Sequence, residues 1–63
     1  MRYEKQTDMN IAAVTETGEA VPIARGTRLH YIGEQKDWRR VAVLVGGKTL
    51  TISQTAWLAC RDV

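Results

Sequence analysis

A chain of 63 residues, 44% hydrophobic and 25% charged, has the balance of one small globular domain. That excludes a second domain and an enzyme built around a deep, water-excluding cleft. No apolar run approaches the roughly 18–20 residues of a membrane-spanning helix, and the N-terminal MRYEKQTDMN lacks a signal-peptide apolar stretch. The single cysteine, Cys60, can make no internal disulfide. These features predict a soluble cytoplasmic protein with no membrane contact. A domain this short buries only about 60% of its unfolded surface, which leaves homo-oligomerisation open as a source of added stability.

The formal net charge of +2 is unevenly spread. Residues 1–24 carry Arg2 and Lys5 against Glu4, Asp8, Glu16 and Glu19. Residues 25–48 carry Arg25, Arg28, Lys36, Arg39, Arg40 and Lys48 against Glu34 and Asp37, and Arg61 balances Asp62 in the last segment. A basic middle of this kind suits either acidic protein partners or a nucleic-acid footprint, against the plainer reading of solvated strand and loop charges.

Residues 1–9 show no periodicity and are expected to form a flexible arm or a weak edge extension, followed by a single domain over residues 10–63. Asn10 to Thr15 is short and apolar and ends at Thr17-Gly18-Glu19. Ala20 to Ile23 follows, with Pro22 confining it to an edge or an irregular loop. After Arg25-Gly26-Thr27, residues Arg28 to Gly33 alternate, placing Leu29 and Tyr31 on one face and Arg28, His30 and Ile32 on the other. Glu34 to Asp37 is a polar connection.

Trp38 to Val45 and Lys48 to Ser53 are strand-like runs joined by Gly46-Gly47, two residues that supply the positive φ of a type I′ hairpin turn. Pairing Val45 with Lys48 sets Val43 opposite Leu50 and Val41 opposite Ile52. One face is then aliphatic, whereas a one-residue slip buries Thr49 and Thr51. Ser53-Gln54-Thr55-Ala56 suits one 3₁₀ turn capped by the Ser53 hydroxyl, and Trp57 to Arg61 reads as a final strand. Five short strands with glycine-marked turns predict an all-β chain: a small, strongly bent five-stranded barrel with one short 3₁₀ turn before the last strand.

From about Ile11 to Val63 this order resembles the Src-homology-3 family, in its eukaryotic and bacterial forms. The resemblance is carried by Gly26-Thr27-Arg28-Leu29-His30-Tyr31-Ile32, by Trp38-Arg39-Arg40-Val41-Ala42-Val43 after a charged loop, by Gly46-Gly47, and by Ile52-Ser53-Gln54-Thr55-Ala56-Trp57. It implies the barrel fold and partner binding beside Trp38. The departures bear on function. The family's aromatic first-strand motif is Ile11-Ala12-Ala13-Val14 here, its paired tryptophans are Trp38-Arg39, its proline before the 3₁₀ turn is Ser53, and its binding tyrosine falls on Ala56 or Trp57. A polyproline ligand needs a row of aromatic grooves, so ordinary proline-rich recognition does not carry over.

His30 is the sole histidine, no pair of carboxylates has acid–base spacing, and Gly46-Gly47-Lys48-Thr49 lacks the upstream glycine and following helix of a phosphate loop. No catalytic residue, metal or cofactor is expected. The leading expectation is a protein-interaction module, accessory or inhibitory, that meets its partner through Trp38, Arg39, Arg40, Lys36, Glu16 and Glu19. The alternative is a nucleic-acid-binding barrel using Arg25, Arg28, His30, Arg40 and Lys48, with Arg28, His30 and Arg40 sharing one outer sheet face. Trp57, by contrast, is expected in the core.

Overall fold

A computed structural model of the protein describes residues 4–34 and 39–63. Seven strands, β1 (Glu4–Gln6), β2 (Ile11–Val14), β3 (Ala20–Ile23), β4 (Arg28–Glu34), β5 (Arg40–Val45), β6 (Lys48–Ser53) and β7 (Arg61–Asp62), form one antiparallel sheet in the order β3-β2-β6-β5-β4-β1-β7. One helix, α1 (Gln54–Ala59), lies between β6 and β7. The mostly-β expectation therefore holds, but the chain forms an open sheet of seven strands where a five-stranded barrel was expected. Two of the additional pairings come from the chain ends: β1 sits between β4 and β7, so residues 4–6 of the expected arm are a paired strand.

The β5–β6 hairpin has the register predicted from its pattern. Val45 pairs with Lys48, Val43 with Leu50 and Val41 with Ile52, and both turn glycines have positive φ, 55° at Gly46 and 84° at Gly47. Alternation then sends Val41, Val43, Leu50 and Ile52 into the core with Ala13, Ile23 and Leu29. Ala42, expected to face outward with Arg40, is only 7% exposed. It is a small side chain on a central strand between Gly33 and Thr51, so its neighbours cover it from both sides. A register shift between Tyr31 and Gly33 marks a bulge in β4 and leaves Ile32 half exposed.

The predicted 3₁₀ turn is instead a six-residue α-helix, and the expected strand over Trp57 to Arg61 shrinks to Arg61–Asp62. Ser53 caps the helix as anticipated, accepting the Ala56 N–H at 3.0 Å. Ile52 before the cap and Trp57 four residues after it join the same buried cluster, a hydrophobic staple that extends the turn into a helix. At the far end, the Cys60 N–H donates to the Trp57 carbonyl and the Cys60 thiol to the Ala56 carbonyl. Trp57 is core, as expected. Its ring lies 5.5 Å from that of half-buried Tyr31, and Lys5 Nζ stands 5.1 Å over it.

Edge strand β3 is blunted by Pro22. The Thr15 N–H donates to the Glu19 carbonyl, so alternation directs Val21 and Ile23 toward β2 and turns Ala20 and Pro22 to the open edge. The missing donor of Pro22 thus falls where an added strand would need it. At the other end of the sheet, buried Thr7 ties β1 to the turn before β4. Its hydroxyl donates to the Ala24 carbonyl at 2.8 Å and accepts the Thr27 N–H at 3.0 Å, while its backbone bonds Gly26 and Thr27. Thr7→Val keeps the shape and removes the hydroxyl, and is expected to cost about 1–2 kcal/mol, lowering the melting temperature by roughly 5–15 °C. A thermal melt indistinguishable from that of the parent protein would show this network to be idle.

Candidate functional site

The β2–β3 hairpin ends in a pinned tip. The Thr15 hydroxyl accepts the Glu19 N–H at 3.1 Å and lies 3.0 Å from the Thr17 hydroxyl, and the Gly18 N–H donates to the Thr15 carbonyl with Gly18 at φ 91°. These bonds hold Glu16 and Glu19 outward at the tip, both exposed. Among the described residues, the one register pair joining this hairpin to the rest of the sheet is Val14 with Thr51. A groove lies between the hairpin and the start of β5.

Ala12, Val14 and Glu16 form the hairpin side of that groove, and Arg39 and Arg40 the opposite side, with Thr49 and Thr51 between them. Arg40 is in register with Ser53, and the Arg39 carbonyl accepts the Gln54 N–H that begins α1. The turn into β5 is thus held by the helix it faces. An apolar strip, hydroxyl groups and charges of both signs share one concavity, an arrangement that can recognise an extended polypeptide through its side chains.

Of the residues expected to contact a protein, the structure gathers Glu16, Arg39 and Arg40 around this groove and puts Glu19 at the same hairpin tip. Trp38 and Lys36 lie outside the described residues.

The expected basic face is not assembled. His30 stands opposite Leu44, so Arg28 lies two residues to one side of that pair and Arg40 four to the other. At about 3.3 Å per residue the two arginines are roughly 20 Å apart along the sheet. His30 Nδ1 is 3.6 Å from Glu4 Oε1, both side chains half exposed. Lys48 is exposed at the β5–β6 turn. Arg25 occupies the turn before β4, its N–H donating to Asn10 Oδ1 at 2.9 Å. Arg61 was missed by the sequence reading, because Arg61-Asp62 sums to zero charge and only strand alternation separates the pair. Asp62 reaches Lys5 at 3.8 Å, which turns Arg61 to the other side.

Cys60 is buried and its thiol is pushed up by desolvation, with Lys5 opposing and Asp8 adding to the shift. A thiol so placed is a poor nucleophile. His30 stands on the outer face beside Glu4, so no Cys–His pair forms. Among the described residues no group of three His, Cys, Asp or Glu side chains can hold a metal ion, and no helix is long and apolar enough to cross a membrane. No family model, no curated protein and no solved structure matches this chain.

Proposed function

We propose that the protein is a small interaction module that binds an extended segment of a protein partner in the groove between the β2–β3 hairpin and the start of β5. The observation that carries this reading is the mixed character of the groove. Its hairpin side runs from the apolar Ala12 and Val14 to the acidic Glu16, and the arginines 39 and 40 line its far side. A nucleic-acid cleft would be lined by one sign of charge. A polypeptide segment matches alternating charge and apolar contact, and opposed charges also fix its direction.

The finer reading of a Src-homology-3-like domain is part of the proposal. Supporting it are a strand entered through Gly26-Thr27, a Gly46-Gly47 hairpin, and a Ser53-capped helical turn before the last strand, in the order that the resemblance implies. We assign the protein to the cytoplasm on the strength of its single, unpaired cysteine, and an accessory or inhibitory role belongs to the same proposal.

The test is capture of a partner by the full chain from the native host, with and without nuclease, compared with two variants. Trp38→Ala is expected to abolish capture, because tryptophan is a common anchor of such interfaces. Arg40→Glu, which reverses one of the groove's positive charges, is expected to weaken it at least tenfold. Both proteins should keep their melting temperature within a few degrees. Capture that survives both changes, or that disappears with nuclease, overturns the reading.

A further inference from the structure

We propose that the outer face of β4, β1 and β7 binds the phosphate backbone of nucleic acid through Arg28 and Arg61, with Arg25 beside them and without readout of the bases. This surface is separate from the groove and shares no residue with it.

The placement follows from register and alternation. Gln6 pairs with Arg28 on one side and with Arg61 on the other. Lys5 turns inward over the Trp57 ring, so Gln6 faces outward. Leu29 is buried and Asp62 reaches Lys5, so Arg28 and Arg61 face outward with it. Strands about 4.8 Å apart put the two arginine backbones roughly 10 Å from each other in one line. The Gln6 side-chain amide then donates to the Gly26 carbonyl at 3.0 Å, closing the turn that carries Arg25 against this row. All three arginines are exposed.

The acids nearby do not pair with these arginines. Among the described residues, Glu4 pairs with His30 and Asp62 with Lys5, and no carboxylate pairs with Arg25, Arg28 or Arg61. Glu4 and Asp8, at the two ends of β1, leave three arginines against two acids on this side. Guanidinium forks match phosphate oxygens two at a time. The row Arg28, Gln6, Arg61 carries no apolar side chain, whereas a protein interface is anchored by buried aromatic or aliphatic groups. Tyr31 and Trp57 pack against each other on the inner side. Among the described residues, then, no ring stands on this face to stack a base, and contact is limited to the backbone.

The experiment is fluorescence anisotropy of the full chain with a random-sequence single strand and a random-sequence duplex, titrated at several salt concentrations. Binding is expected to fall steeply with salt and to differ little between sequences. Arg28→Gln/Arg61→Gln is expected to lower the salt slope by about two, one for each phosphate that is no longer neutralised. Arg28→Lys/Arg61→Lys should retain most of the slope, which also guards against misreading a folding defect. Arg39→Gln/Arg40→Gln should leave binding unchanged. The proposal fails if neither nucleic acid binds at low salt, or if the Arg28 and Arg61 changes leave the slope intact. It fails equally if poly-glutamate binds and nucleic acid does not, since that outcome assigns the surface to an acidic protein. Loss of partner capture in the groove variants has no bearing on these results, so the two readings stand or fall separately.

Discussion

Leu29→Ala is expected to remove about half of the protein's folding stability. Leu29 has no exposed surface and lies in β4 within the cluster that includes Val41, Val43, Ile52 and Trp57. Truncation removes the transfer free energy of the deleted carbons and leaves a cavity, for a cost of about 2–5 kcal/mol. A 63-residue domain has a total stability of only about 3–9 kcal/mol, so one side chain carries a large share of it. Leu44→Ala is the matched control, because Leu44 is 38% exposed on the opposite face of β5 and should change stability by less than about 1 kcal/mol. Urea unfolding of both variants checks the pair. Equal losses, or a larger one for Leu44, would mean that the buried and solvent faces have been exchanged.

The second large effect is expected at the β5–β6 turn. An added Cβ at Gly46 or Gly47 meets no atom within 4 Å, so any penalty for substitution comes from the backbone alone. Both residues have positive φ, which costs an ordinary L-residue about 1–2 kcal/mol and a β-branched one more. Gly46→Val/Gly47→Val should therefore destabilise the protein by about 3 kcal/mol or more. Gly46→Asn alone should stay within about 1 kcal/mol of the parent, since asparagine tolerates this conformation. The contrast, read from melting curves, separates a backbone effect from a packing one. A double valine variant that melts with the parent would remove the basis for the hairpin register.

The elements legible in the sequence are those whose signals are local. Gly46-Gly47 between two β-rich runs sets a two-residue turn, the turn sets the register, and the register decides that Val41 and Val43 are buried while Thr49 is not. Ser53 announces a capped turn in the same way. Pro22 was readable as an edge residue because its missing N–H excludes it from a central strand. Glu16, Arg39 and Arg40 were selected on charge and position alone, and the structure lines one groove with them.

What the chain by itself determined, then, is the mostly-β character, the central hairpin and the capped turn. What only the tertiary structure decided lies where distant segments meet. Nothing in Glu4-Lys5-Gln6 is periodic enough to predict a strand. It becomes one because β4 and β7 satisfy its backbone groups from both sides, and Lys5 covers Trp57. The extra helical turn depends on Trp57 docking beside Ile52, a gain invisible to a six-residue window. The expected basic face failed for a related reason. Arg28 and Arg40 share a side of the sheet, but the antiparallel register sets them roughly 20 Å apart. The pairing of β1 with β4 and β7 instead brings Arg28 level with Arg61, a residue whose charge the sequence cancelled against Asp62. Alternation in β7 sends those two side chains to opposite faces, and a charge sum taken along the chain cannot record that separation.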